Sequence, residues 1–527
     1  MFRKSKKFIA VILTLVSLFA MCSAAATAVA EAEEEYPVIY LTGYGQQIFA
    51  EAGNHKSEMY YPTGVDVAAK VEENVAPVLM ELAFSSATGD YSAYCDSLYN
   101  AVAPIYDKLR LSPNGTVEDG SGTWKNGYSI VYNYYKYGSI HLSYDWRLSP
   151  IELAAQLDEA IDIVLAKYDA EKVNLLGRCY GANVISAYLE LYSEEAEQKV
   201  NKSVLYVPST MGIGLIGSIF SGEIKLNASN IDVYVKEIVK YLDIMEDGLA
   251  KDFLLVMVSV FEQAKILNFG TERLQELLDN IKDDLIPRLV RDSYGSFLSF
   301  WSMVPYEYLA DAVEFVYNTD ELKAEYKGTI DLINEYGEKV QKNAIENTAS
   351  YDNVYIISKY NLPSAPVFGK SNNTGDAIAE TVYTSFGATC AQYGSRLSAS
   401  YIAAMDEEAL AYLSADEKID ASTCALPEKT WFIKNSYHDH FPESVDDLIK
   451  EIYTGEDFTV FSSEEYPQFL DANVDGDTLT PVISKDKDLP KPGSDEEKFA
   501  MLFEFIKFAI EVLIEVIKYI SEATAAA

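Results

Sequence analysis

Apolar residues along this chain follow two rhythms, and the change from one to the other divides it into parts. Short apolar runs bounded by turn residues come first: YPVIYLTGYGQQ at 36–47, GSIHLSYDW at 138–146, VNLL at 173–176 and SVLYVPS at 203–209 each read as a strand. Between the second and third runs, Leu153, Ala154, Leu157, Ile161 and Val164 recur at three and four spacing, which predicts an amphipathic helix. Strands therefore alternate with helices from about 138 to 209, the pattern of a parallel sheet covered on both faces. From about 212 to 345 the strand signal stops. Long helical stretches replace it, among them IDVYVKEIVKYLDIM, LAKDFLLVMVSVFEQAKIL and ERLQELLDNIKDDLIPRLV. NVYIISKYN at 353–361 and KTWFIKN at 429–435 bring the strand pattern back, so the helical block is expected to be an insertion between core strands. No internal repeat is visible.

The two ends carry different patterns. Arg3, Lys4, Lys6 and Lys7 precede an apolar run from Phe8 to Met21 and small residues up to Ala30, which predicts a cleavable signal peptide over 1–30 and a secreted protein. A lipid anchor on Cys22 is disfavoured by the bulk of Met21 before it. Residues 484–497, rich in Lys, Asp, Pro and Gly, read as a linker. The stretch 498–522 reads as an amphipathic helix with Glu504, Lys507, Glu511, Glu515 and Lys518 along it. A charge on every turn argues against a membrane span. Docking on the core or self-association is the expectation, and peripheral membrane contact is the alternative.

Composition narrows the function. The 527 residues are 49% hydrophobic, enough to bury a large core, and 81 acidic against 42 basic residues give a formal charge of −39. Such a surface repels phosphate backbones, so no nucleic-acid partner is expected. Of the five cysteines, Cys95, Cys179, Cys390 and Cys424 follow the leader; the preferred state pairs Cys390 with Cys424 and leaves Cys179 free. A bond from Cys95 to Cys179 would remove the nucleophile proposed next.

Residues 173–188, VNLLGRCYGANVISAY, read as a strand, a sharp Gly-x-Cys-x-Gly turn and a helix. That is the layout of a nucleophile elbow with cysteine in the serine position. A strand turning abruptly into a helix brings backbone against backbone at Gly177 and Gly181, where a Cβ does not fit. Cys179 between them stands at a helix N-terminus, whose partial positive charge favours a thiolate. A general base follows the nucleophile in such chains, which disfavours His55 and His141 and leaves His438 and His440 in KTWFIKNSYHDHFP. His438 is preferred as the closer to the strand end. Asp420 in KIDASTC precedes it and is the expected orienting acid. Backbone donors for an oxyanion fall at Tyr180 and at Tyr44 of the Gly43-Tyr44-Gly45 loop. Asp471, Asn473, Asp475 and Gly476 match half a calcium loop, but Val482 stands where the bidentate acid belongs, so neither a metal nor a cofactor is expected.

PVIYLTGYG, YDWRLSP at 144–150, GRCYGANVISAYL and DASTCALPEKTWFIKNSYH together resemble the α/β-hydrolase superfamily, and within it the lipase group similar to lecithin:cholesterol acyltransferase. GSFLSFWSMVPYEYL looks like a lipase lid segment. The resemblance covers about half the chain and implies an α/β-hydrolase fold, a mostly parallel sheet flanked by helices; together with the helical pattern the expected division is core segments 36–211 and 376–483 and a large inserted helical cap over 212–375, most of the cap lying outside the resemblance. It also implies a lipid or acyl-ester substrate, with Asp145 and Arg147 structural near the site. The family carries serine where this chain has Cys179. The expectation is thus an esterase- or acyltransferase-like hydrolase with a Cys-His-Asp triad. A catalytically inactive binding or surface protein on the same scaffold is the competing reading, and a cysteine peptidase or amidase a third.

Overall fold

A computed structural model of the protein describes residues 36–44, 47–60, 77–78, 80–82, 84–123, 128–134, 139–225, 234, 271–364, 374–472 and 478–483. The leader 1–30, the linker 484–497 and the terminal stretch 498–522 lie outside them, as do 226–233 and 235–270 of the helical block.

Nine strands form the central sheet: β1 Val38–Leu41, β2 Tyr128–Tyr134, β3 Ser139–Tyr144, β4 Val173–Arg178, β5 Val200–Tyr206, β6 Val354–Tyr360, β7 Thr430–Lys434, β8 Phe469–Ala472 and β9 Leu479–Pro481. Their order across the sheet is β9-β8-β7-β6-β5-β4-β1-β3-β2. The edge strands β2 and β9 pair antiparallel, and every pairing between them is parallel. This is an α/β fold with a mostly parallel sheet. Central strands buried on both faces have no polar side to present, so they appear in sequence as continuous apolar runs. All seven residues of β6 are buried, and five of the six in β4.

Helices cover both faces. Helix α1, Pro150–Tyr168, starts where the Ser149 side chain accepts the amide of Ile151 and Pro150 takes the first helical position. It buries the expected stripe, Leu153, Ala154, Leu157, Ile161 and Val164. Helix α2, Tyr180–Leu191, buries ten consecutive residues from Tyr180 to Leu189, because the helical block closes over the side that would otherwise face water. On the opposite face, helix α3, Glu443–Thr454, sets Val445, Leu448, Ile449 and Ile452 against Leu176, Val204 and Trp431 of the sheet.

The helical block joins β5 to β6 and includes helices Gly214–Phe220, Leu285–Asp292, Tyr306–Val316 and Lys327–Tyr336. Trp301, Leu309, Val316 and Tyr336 from it share one core with Leu157, Ile185 and Tyr188. Its expected range of 212–375 is corrected at one end: β6 lies inside that range yet pairs with both β5 and β7 in the middle of the sheet. The helical stretch therefore stops before Val354. Among the described residues no helix is long and apolar enough to cross a membrane.

The YDWRLSP string joins β3 to α1 through a buried ion pair. The Arg147 guanidinium donates to Asp145 through Nε at 2.9 Å and through a terminal nitrogen at 2.7 Å, and both side chains are almost wholly buried. Its remaining donors reach the Leu109 carbonyl and Ser121 Oγ, each at 3.1 Å, which ties the 109–121 segment to the sheet. Removing one partner strands a buried charge, so Arg147→Leu is expected to lower stability by about 3–5 kcal/mol in urea denaturation.

Candidate active site

Strand β4 ends at Arg178 and helix α2 begins at Tyr180, leaving Cys179 at the turn with φ 50° and ψ −120°. Few non-glycine residues take a positive φ, and the conformation persists only where the surroundings impose it. Here the Cys179 amide donates to the Tyr206 carbonyl at 3.0 Å, and its carbonyl accepts the Ala182 amide at 3.0 Å. The flanking glycines are required by space. A Cβ on Gly177 would lie 2.7 Å from Ile185 Cδ1 and 2.8 Å from the Ala182 backbone, and one on Gly181 would strike the carbonyl oxygens of Leu41 and Thr42. Helix α2 thus lies against the end of β1.

That contact brings in the first glycine loop. A Cβ on Gly43 would sit 3.1 Å from Cys179 Cβ and 3.7 Å from its sulfur, so the loop after β1 passes directly beside the thiol. Tyr44, next in the loop, sets its ring against Trp146 at 4.4 Å and Phe300 at 5.2 Å between centroids. Gly45 lies outside the described residues. Tyr180 opens α2, where first-turn amides have no partner within the helix, and its hydroxyl donates to the Leu148 carbonyl at 2.5 Å.

The histidine loop follows β7. His438 is 1% exposed, and its Nδ1 lies 2.7 Å from Asp376 Oδ2, a buried pair. The backbone supports the pair, since the His438 amide donates to the Asp376 carbonyl at 2.8 Å. Asp376 Oδ1 in turn accepts the amides of Ile378 at 3.1 Å and Ala379 at 2.7 Å, which holds the carboxylate still. In the neutral ring a proton on Nδ1 shared with Asp376 leaves the lone pair on Nε2, which is buried with the Cys179 side chain as its neighbour. Burial opposes charge on this ring, but the neighbouring Asp376 carboxylate and the Cys179 sulfur hold His438 well above its ordinary value. Burial likewise opposes charge on Asp376, and the His438 and Lys359 charges with the Ala379 amide hold it below its usual range.

The other histidines are placed differently. His440 takes Ser436 Oγ at 3.0 Å on Nδ1 and stacks on Tyr437, while its carbonyl accepts the Tyr206 hydroxyl at 2.9 Å. Of the two candidates in this loop, His438 is the one paired with an acid. His141 lies inside, beside Thr42 and the Tyr40 ring, and burial pushes it down to about 4. His55 is exposed.

Asp420 is corrected as the partner of His438. Its Oδ2 accepts the Tyr401 hydroxyl at 2.8 Å, and its Oδ1 accepts the Ser422 amide at 3.0 Å and hydroxyl at 2.6 Å. It caps the short turn Ala421–Thr423, a job Asp does for local backbone reasons wherever such a turn starts. Asp376 was missed, although a signal existed. It comes after β6, lies between Cys179 and His438 in the chain, and stands 62 positions before the histidine.

The four described cysteines are all unbonded, so the expected Cys390–Cys424 bridge is not formed. Cys390 Sγ donates to the Ala388 carbonyl at 3.3 Å instead. Burial raises Cys95 to about 11 and Cys424 to about 11, and raises Cys390 further, which keeps these three thiols protonated. Asp471 of the half calcium loop accepts Asn435 Nδ2 at 2.9 Å, and residues 473–477 lie outside the described residues.

Close by, Glu380 is wholly buried with Oε2 on the Gly214 amide at 3.0 Å and Oε1 unpartnered, and burial raises it to about 7. Its ordinary value is 4.5, so the fold favours the protonated form. Stability from this group is full below 4.5 and lost as pH rises through about 7. Glu380→Gln is expected to raise Tm relative to the parent more at pH 8 than at pH 4, read by calorimetry.

No protein-family model and no curated protein matches this chain.

Proposed function

We propose that the chain is an acyl-ester hydrolase that works through a covalent thioester on Cys179. One observation carries the reading: a cysteine held at positive φ in a glycine-flanked strand-to-helix turn, at the same carboxyl-end rim of the parallel strands as a buried His438–Asp376 pair. Strain of that kind costs about 1–3 kcal/mol and collects where a side chain has chemistry to do.

In the first step the proton passes from the Cys179 thiol to His438 Nε2, giving a thiolate and an imidazolium held by Asp376, and the thiolate attacks the acyl carbonyl carbon. The amides of Tyr44 and Tyr180 are the donors proposed for the oxygen that becomes negative. Collapse breaks the ester C–O bond, the alcohol leaves with the proton from His438, and the acyl group stays on sulfur. Water then gives a proton to His438 and its oxygen attacks the thioester. The carboxylic acid departs and the proton returns to Cys179. An alcohol in place of water makes the same cycle an acyl transfer. Asp376 fixes the Nδ1–H tautomer and balances the imidazolium at each stage.

The aromatic group of Tyr44, Trp146, Phe297 and Phe300 beside the first loop favours an apolar acyl chain or lipid over a small polar ester. In this reading the helical block serves as the cap, the leader exports the enzyme, and the terminal helix docks on the core, self-associates or touches lipid.

The test is a series of chromogenic acyl esters from short to long chains, with the intact mass of the full chain followed in time. The expected result is turnover with an acyl adduct on the Cys179 peptide that hydroxylamine releases. Absence of both turnover and adduct across the series would transfer the chain to the inactive binding-scaffold reading.

A further inference from the structure

Lys359 is the least expected residue of the central sheet. It occupies β6, between β5 and β7, and is 0% exposed. An ammonium in such a place loses its hydration, and a lysine there is tolerated only when every donor finds a partner. All three do. Lys359 Nζ donates to the carbonyls of Tyr437 at 2.7 Å, His438 at 3.0 Å and His440 at 2.5 Å. Its charge also lies over the Tyr206 ring, 4.8 Å from the centroid.

The main chain of the same residue reaches the acid. The Lys359 carbonyl accepts Thr381 Oγ1 at 2.7 Å, and that hydroxyl lies 3.1 Å from the Thr374 carbonyl, on the far side of Asp376 in the chain. Lys359 is therefore bonded through its backbone to the segment carrying Asp376 and through its side chain to the loop carrying His438. The nucleophile connects to the same point. Tyr206 accepts the Cys179 amide through its carbonyl and donates its hydroxyl to the His440 carbonyl. Arg178, immediately before Cys179, donates to the Asp439 carbonyl.

We infer that Lys359 is a positioning residue: by gathering three carbonyls of the 437–440 loop onto one ammonium, it sets the place from which the His438 ring is presented to Cys179. This inference rests on the proposed acyl-transfer reading. A lysine suits the task because a compact ammonium can donate to three carbonyls converging from different directions, whereas a planar guanidinium spreads its donors in a fixed fork. The charged and titratable groups around the ammonium are Asp376, Asp439, Arg178 and Cys179. Burial drives Lys359 well below its usual value, with Asp376 pulling it back and Arg178 adding to the fall.

Three roles make different forecasts. A lysine that only stabilises the fold would change the melting temperature and leave the thiol as it was. One that acts by its charge on sulfur would act whether or not His438 is present. One that positions His438 would act only through it. The experiment is the rate at which iodoacetamide alkylates Cys179 at pH 7 in the full chain, followed by mass of the Cys179 peptide, for wild type, Lys359→Met, His438→Ala and the double variant. Lys359→Met is expected to slow alkylation about tenfold, and to change nothing further in the His438→Ala background. Equal slowing in both backgrounds, or none in either, overturns the inference. If Lys359→Met does not fold, Lys359→Arg keeps the buried charge with the wrong donor geometry; slowing that vanishes in the His438→Ala background is expected, and a wild-type rate overturns the inference. A wild-type rate no faster than that of His438→Ala overturns the proposed function itself, and this inference with it.

Discussion

Cys179→Ala is expected to lower kcat on the best ester of the series by about a millionfold for an efficient enzyme of this kind. Alanine leaves no atom to form the thioester, so the acyl adduct disappears with the turnover. His438→Ala should cost about as much as Cys179→Ala, and the double variant no more than either, because nucleophile and base act as one unit. The loss must not come from unfolding. Alanine at 179 keeps the strained φ of 50° and the backbone bonds to Tyr206 and Ala182, so denaturant midpoints should stay near the parent's. Cys179→Gly separates the two properties further. Glycine takes this φ without penalty, so this inactive variant is expected to gain about 1 kcal/mol in stability. A Cys179→Ala protein that turns over the ester near the parent's rate would refute the assignment.

Asp376→Asn against Asp420→Asn decides which acid serves the histidine. Asparagine at 376 keeps the shape but offers an amide that can donate to Nδ1, which favours the wrong tautomer and leaves the imidazolium without a counter-charge. The expected loss is about 10⁴-fold in kcat, with KM little changed. Asp420→Asn keeps an acceptor for Ser422 and lies apart from His438, so its kcat should match wild type. The pair also shapes stability against pH. His438 is raised from 6.5, so its contribution is full below 6.5 and is lost as pH rises through the folded value. Asp376 is lowered from 3.8, so its contribution is present above 3.8 and is lost as pH falls through the folded value. Stability from the pair is therefore greatest between about pH 4 and 6.5, and Asp376→Asn should flatten both limbs in denaturant titrations across pH.

Much of the scaffold was legible because its signals are local. The stripe Leu153, Leu157, Ile161 and Val164 repeats within one helix, and its burial in α1 needs nothing more than a sheet on one side. The apolar runs of β4 and β6 read as strands because both faces are covered, so no polar alternation was needed to find them. Gly177, Cys179 and Gly181 were legible for a similar reason: a tight strand-to-helix turn requires small residues at fixed offsets from the residue it displays. His438, which the structure pairs with Asp376, was singled out by elimination, and chain order did the eliminating.

The acid was not, and the reason is physical. Asp420 and Asp376 are both aspartates at a turn, and each accepts amides two or three residues on, Ser422 for one and Ile378 and Ala379 for the other. Local chemistry cannot tell a turn cap from an orienting carboxylate. The cysteine pairing failed likewise, since pairing depends on where Cys390 and Cys424 point and not on their types. Lys359 gave no sequence signal at all, because a lysine in a strand is ordinarily an exposed one.

By itself, then, the sequence determined the alternation of strands and helices, the helical block between β5 and β6, and the cysteine turn, all of which arise from interactions within a few residues or from the simple division between buried and exposed positions. Only the tertiary structure decided that Asp376 faces His438, that Asp420 serves a neighbouring turn, and that Lys359 bonds the 437–440 loop that carries His438. The Asp376 and Lys359 contacts span 62 and 78–81 positions, where the hydrogen-bond partner of a polar group is set by which loops the assembled sheet brings to one rim.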